Sequence, residues 1–331
     1  MTSVLVIEGV EKTYRRGVKA NDGVTLTAEA GQVYGVLGHN GAGKTTLVNQ
    51  IVGLLKPDAG SITIHGHDVI ADPGYARRVC SVEAQAQVPI NGMTPRQAIS
   101  LVGRLRGGSA AVVDARMAAL IEALDIGEWK DTDGARLSGG VKRLVSFCMA
   151  AVVPGRVVIL DEPTNDVDPV RRRQLWAQVR ALAEGGAAVL LVTHNVVEAE
   201  RSVDRLGILD HGRVIVEGTP AQLKESVSHD LRLELVFEPG MEAPPMASFL
   251  RHVSRNGHRI TATVATTIAA EAAGWAQQLR ETGQLEEFSL APATLEDVYV
   301  DIVDRADAER EVAGAAQEPV MAAEAVHVGS A

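Results

Sequence analysis

The sequence predicts an α/β fold: a mostly parallel sheet core with an antiparallel β edge and an inserted helical subdomain, followed by a small C-terminal α+β domain. Three observations carry this reading. The apolar runs SVLVIEG, GQVYGVLG, RVVILDEP, AAVLLVTH and RLGILDHGRVIVEG alternate with helical patterns from Val4 to about Gly218, which is the rhythm of strands laid parallel through helical crossovers. Aromatic residues make up only 3% of a chain that is 46% hydrophobic, so its cores must be built from Val, Leu, Ile and Ala, as a sheet buried under Ala-rich helices requires. After Lys224 the texture changes. LRLELVFEP and HRITATVA alternate like strands, AAEAAGWAQQLRE reads as a helix and EEFSL as a short strand, a separate α+β pattern.

These boundaries give a first domain over 1–222, interrupted by a helical subdomain over about 86–151. Thr94-Pro95 is a helix start signal there, and Gly107-Gly108 a stop. The second domain spans 223–305 and closes with Thr294-Leu-Glu-Asp297, a capping pattern ahead of the apolar helix LEDVYVDIV. From Ala306 the sequence is mostly Ala, Glu and Val without periodicity, so 306–331 is expected to be a disordered tail.

Composition excludes several functions. The net charge of -10, with no long Lys/Arg block, leaves no electrostatic footprint for a nucleic-acid backbone, so no nucleic acid is expected as a partner. Cys80 and Cys148 sit in apolar stretches without metal or redox spacing and are expected to be buried, inert thiols. The start of the chain lacks a basic region followed by an apolar run, and no stretch of about 18 apolar residues occurs. Any membrane contact is therefore expected through a partner. His65-Gly-His67-Asp68 reads as a strand and turn rather than a metal site.

Between the strand QVYGVL and the helix TLVNQIVGLL lies Gly38-His39-Asn40-Gly41-Ala42-Gly43-Lys44-Thr45, a match to GxxxxGK[ST] in the context that motif needs. Glycines let successive backbone N–H groups face a phosphate chain, and the helix adds its positive N-terminal end. Lys44 is expected on the β- and γ-phosphates of ATP and Thr45 on Mg²⁺. Asn40 to Gly43 and Thr46 supply further donors, and Gly38 and His39 are assigned to the same ATP-binding loop. RVVIL-Asp161-Glu162 places two carboxylates at the carboxyl edge of the sheet, where ligands bind. Asp161 is assigned to Mg²⁺ and Glu162 to the attacking water. Thr193-His194 ends the next strand at the same edge, where His194 can contact the γ-phosphate. Lys44, Glu162 and His194 are thus the expected catalytic set.

Leu137-Ser138-Gly139-Gly140, followed by Val-Lys-Arg, lies after the helical interlude and ahead of the acidic strand. In this order the motifs resemble those of the ABC ATPase family, over about residues 3–220. The resemblance implies a P-loop NTPase cassette that hydrolyses ATP with Mg²⁺. It implies that Ser138, Gly139 and Gly140 close over ATP held by a second copy, so that two nucleotides are sandwiched head to tail in a dimer. It also assigns Tyr14 to stacking on adenine and Asp168, in Asn165-Asp-Val-Asp168, to the loop that crosses the dimer interface. Gln85 is assigned to Mg²⁺ and to nucleotide sensing, with Gln87 the alternative. His39 departs from the usual Pro, and Val141 from the usual polar or Met residue.

The C-terminal unit ending in ATLEDVYVDIV resembles the accessory region of bacterial drug and polyketide-antibiotic exporters of the daunorubicin/doxorubicin type. That resemblance implies a homodimer docked on a separately encoded transmembrane permease at the inner face of the cell membrane, moving an amphipathic compound outward. An ATPase for another permease, a soluble cassette protein and a heterodimeric pair remain alternatives.

Overall fold

The computed structural model describes residues 2–15, 17–86, 88–227, 230–238 and 246–315. The chain divides into two compact units, Met1–Leu223 and Lys224–Ala331.

In the first unit the order is β1 (Ser3–Thr13), β2 (Lys19–Glu29), β3 (Val33–Leu37), α1 (Lys44–Ile51), β4 (Ala59–Ile64), β5 (His67–Asp68), α2 (Pro73–Val79) and β6 (Cys80–Glu83). Then come α3 (Pro95–Leu105), α4 (Ala110–Ala123), α5 (Gly139–Ala151), β7 (Val157–Asp161), α6 (Pro169–Glu184), β8 (Ala188–Thr193), α7 (Val196–Ser202), β9 (Arg205–Asp210), β10 (Arg213–Gly218) and α8 (Pro220–Val227). The central sheet has the order β10-β9-β3-β8-β7-β6. Its strands pair in parallel except at the β9–β10 hairpin. An antiparallel sheet, β2-β1-β4-β5, forms the β edge.

Every residue of β3, β7 and β8 is buried, which explains why these runs are continuously apolar rather than alternating. One aliphatic core joins both sheets, from Leu5, Ile7 and Ile62 to Ile159, Leu190 and Leu209. Between β6 and β7 the chain forms α3, α4 and α5. Thr94 begins α3 with a reciprocal capping box to Gln97 and Pro95 in the first turn. The helix stops at Leu105, and Gly107 takes φ 86°, where a side chain would be strained.

The second unit is a four-stranded antiparallel sheet ordered β12-β13-β11-β14, from β11 (Asp230–Val236), β12 (Arg251–Asn256), β13 (Arg259–Ala265) and β14 (Glu287–Pro292), with α9 (Ala269–Glu281) and α10 (Leu295–Ala315). Its own core contains Leu233, Leu235, Ile260, Val264, Ala272 and Ala276. Thr294 and Asp297 exchange side-chain and backbone hydrogen bonds ahead of α10. That helix continues to Ala315, ten residues into the tail expected to be disordered from 306. Ala, Glu and Arg are strong helix formers, so the missing apolar stripe removes a packing face without removing the helix. The rest of that expectation, 316–331, lies outside the described residues.

Candidate active site

The site grows from the carboxyl ends of β3, β7 and β8. The loop leaving β3 is forced to be glycine at both ends by contact: a Cβ on Gly38 would lie 2.3 Å from the Leu209 carbonyl oxygen, and one on Gly43 2.1 Å from that of Ala20. Gly41 and Gly43 also take positive φ, 93° and 108°. Between them the chain curls around the Lys44 side chain, which is buried and donates from Nζ to the carbonyls of Gly38 and His39, the latter at 2.9 Å. Burial holds the Lys44 ammonium below its ordinary pKa, and the charges of Glu162 and Asp161 oppose that shift. Thr45 is exposed in the first turn of α1. Thr46 Oγ1 lies 3.2 Å from the hydroxyl of Tyr14, whose side chain is 45% exposed beside that turn.

At the end of β7, Asp161 and Glu162 are both buried, 6% and 3% exposed. Glu162 sits at φ 54°, a left-handed conformation uncommon for a side chain of this size and concentrated at functional turns. Its carboxylate is held from β8: Oε2 accepts from Thr193 Oγ1 at 3.0 Å, and Oε1 accepts from the His194 backbone N–H at 2.8 Å. His194 Nδ1 is 2.5 Å from Oε1. With the carboxylate accepting, Nδ1 carries the hydrogen and Nε2 is the atom left to meet a ligand. Burial pushes the Asp161 carboxyl up to about 6, and Glu162 adds to the rise; Lys44, Arg143 and the Gln85 backbone N–H oppose it. A carboxylate so stripped of water is a site for a cation.

The fold therefore brings together Gly38 through Thr46, Asp161, Glu162 and His194, with Tyr14 at the rim and Gln85 tied through its backbone to Asp161. Gln87 lies outside the described residues. Ser138, Gly139, Gly140 and Asp168 are placed differently: among the described residues no hydrogen bond or ion pair joins them to Lys44, Asp161 or Glu162. Ser138 caps α5, its Oγ accepting from Val141 N at 3.4 Å. Gly140 packs so closely on the Asp166 carbonyl that a Cβ would come within 2.3 Å. The Asp168 carboxylate caps α6 through the N–H groups of Val170 and Arg171 at 3.0 and 3.1 Å, with Arg171 Nη1 at 3.1 Å. These bonds hold its pKa below the usual range.

Two residues beside the site had no role in the sequence reading. Arg143 of α5 is 5% exposed and donates to the carbonyls of Ala84 and Gln85 at 2.8 and 2.6 Å. Glu83, fully buried at the end of β6, faces it with 3.8 Å between Oε1 and Nη1. Burial raises the Glu83 carboxyl well above its ordinary value, against the pull of Arg143. The visible signal was a Glu ending an otherwise uncharged strand, CSVE.

A family model described as "ABC transporter" matches residues 21–165. The daunorubicin/doxorubicin resistance ATP-binding protein DrrA of Streptomyces peucetius is 35% identical over 97% of this chain and 98% of its own length. The chain belongs to the ABC transporter ATP-binding proteins. The Nod factor export ATP-binding protein I of Burkholderia lata is 33% identical over 89% of the chain and 95% of its length. A solved ATP-binding subunit of an ABC transporter superposes with a TM-score of 0.63 at 27% identity, covering 67% of this chain and 92% of that one. As an ABC transporter ATP-binding protein the chain is an ATPase subunit, homologous to drug-resistance and Nod factor export ATP-binding proteins. ABC ATPase subunits work with separate membrane permease subunits, and no helix among the described residues is long and apolar enough to cross a membrane.

Proposed function

We propose that two copies of this chain close head to tail over two ATP molecules and that the closure drives a separate permease exporting an amphipathic, drug-like compound. The observation that carries the reading is the Glu162 carboxylate, fixed by Thr193 and His194 beside Asp161 and the Lys44 loop.

In this reading the N–H groups of Asn40 through Thr46 and the Lys44 ammonium take the phosphates. Lys44 exchanges its two carbonyl acceptors for phosphate oxygens. Thr45, Asp161 and Gln85 would hold Mg²⁺, which neutralises charge on the β- and γ-phosphates when bound. The residues fit it: a buried carboxylate with a raised pKa stands beside an exposed hydroxyl at a helix start. Glu162 takes the proton of the attacking water, and its donors keep the carboxylate aimed rather than free to rotate. His194 Nε2 contacts the γ-phosphate, and Tyr14 offers a ring face to adenine. The second copy supplies Ser138, Gly139 and Gly140, a helix N-terminus suited to an anion. Asp168 stands at that interface while still capping α6.

Export is supported by the relatives named for drug resistance and Nod factor export, whose match runs through the C-terminal unit. On this account the chain acts at the inner face of the cell membrane, held there by its permease, with no nucleic-acid partner.

Replacing Glu162 with Gln keeps the acceptor for Thr193 but removes the base. The expected outcome is retained ATP binding, turnover lower by about 100-fold or more, and an ATP-dependent dimer in size-exclusion chromatography with light scattering. Full turnover in that variant would remove Glu162 from its role.

A further inference from the structure

On the side of the phosphate loop facing the β9–β10 hairpin, three side chains unused by the hydrolytic chemistry converge: His39 of the loop, Asp210 at the end of β9 and His211 in the turn. One ligand atom from each lies within 4.8 Å of the others. The tautomer of His39 is fixed by its neighbour. Nδ1 is 2.8 Å from the Asn40 carbonyl oxygen, which only accepts, so Nδ1 carries the hydrogen. Nε2 then points its lone pair at Asp210 Oδ1, 3.0 Å away, on a carboxylate whose side chain is 1% exposed. A cation placed between these two atoms would be met by both.

His211 supplies a third ligand atom. His211 takes a left-handed φ of 43°, and its ring lies 5.4 Å from that of His39, tilted by 56°. We propose that His39, Asp210 and His211 form a binding site for a borderline-soft divalent cation, with Zn²⁺ as its representative ion. Two imidazoles and one carboxylate are a donor set that suits Zn²⁺ and leaves a fourth position for water. Tetrahedral bonds of about 2.0–2.2 Å put ligand atoms roughly 3.4 Å apart, close to the existing His39–Asp210 separation, and rotation of the exposed His211 closes the rest. The Asn40 carbonyl is the outer partner that a ligating histidine needs.

The site is built into the fold rather than draped on it. Gly212 N donates to the Ala42 carbonyl at 2.9 Å, and its own carbonyl accepts from Asp22 N at 2.8 Å, so the hairpin is already tied to the loop. A bound ion adds a side-chain clasp to these backbone ties. Because the His39 carbonyl also receives the Lys44 ammonium, the clasp fixes the part of the loop that positions Lys44. The proposal does not depend on the transported substrate or on dimer closure.

The test uses the tag-free, full-length chain, freed of metal with a chelator and without nucleotide. Isothermal titration with Zn²⁺ and visible absorption with Co²⁺ are measured for the wild type, His39→Asn, His211→Asn and, as a control, His67→Asn, whose ring stacks on Tyr75 elsewhere. We expect one Zn²⁺ per chain and a tetrahedral Co²⁺ spectrum. Each of the first two substitutions should weaken binding at least about tenfold, the smaller loss seen when even an outer partner is removed, and the control should bind as wild type. Circular dichroism confirms that the variants are folded. No stoichiometric binding overturns the proposal, as does binding that survives both substitutions.

Discussion

Arg143 Nη2 lies 2.6 Å from the backbone carbonyl oxygen of Gln85, which fastens the helix that begins at the Ser138–Gly140 turn to the segment that reaches Asp161. The guanidinium spans two successive carbonyls, so it fixes the direction of the chain as well as its position.

The same arginine is the counter-charge to Glu83. Arg143→Met should destabilise the nucleotide-free protein by about 3 kcal/mol or more, because it strands a buried carboxyl and two carbonyls. The double variant Glu83→Leu, Arg143→Met should recover a substantial part of that loss, since the buried carboxyl that Arg143 faces is removed with it. Urea denaturation of the two variants checks this. Equal destabilisation would mean that Glu83 is already neutral and independent of Arg143.

Lys44 presents the opposite balance. Its ammonium is desolvated while its partners are backbone carbonyls, so the residue costs the empty protein and acts on nucleotide. Lys44→Met should lower ATP affinity by about 10–100-fold, from the loss of charge-assisted bonds worth about 1.5–3 kcal/mol, without lowering the thermal stability of the nucleotide-free chain. Fluorescent-nucleotide titration and a melting curve measure the two quantities.

The thiols give a pH-dependent prediction. Burial pushes Cys80 up to about 12 and raises Cys148 further, with the charge of Glu83 adding to the latter. Neither should react with a thiol reagent at pH 8 in the folded chain, and both should react after denaturation. Their folded pKa values lie above the unfolded one, so the native state binds more protons between about pH 9 and 12. This contribution to stability is complete below about pH 9 and is lost as pH rises above it. Labelling followed by mass spectrometry, with melting curves across that range, tests both parts.

Much of the central sheet was legible because β3, β7 and β8 are buried on both faces and read as continuous apolar runs, each leading into the site. The loop over Gly38–Gly43 was legible because Gly38 and Gly43 answer to contacts no side chain tolerates, and Gly41 to a positive φ. β12 was not: all six of its residues, RHVSRN, are exposed, so pairing to β13 rather than burial makes it a strand. Nor was the work of Arg143, whose partners are backbone carbonyls nearly sixty residues away. A side-chain pattern carries no record of which main-chain oxygen a guanidinium will meet. The end of α10 was misplaced for a related reason, since helix-forming composition persists after the apolar stripe stops.

The central claim is that each ATP site is shared between two copies, and mixing defective copies tests it most directly. Lys44→Ala removes the phosphate grip and leaves the Ser138–Gly140 turn; Gly139→Asp places a negative charge in that turn and leaves the phosphate loop. Each variant alone should show almost no ATPase activity with the permease present. A mixed dimer contains one site built from an intact loop and an intact turn, so mixing should restore activity measurable well above either parent. Activity in the mixture no greater than the sum of the two variants measured separately would contradict a shared site.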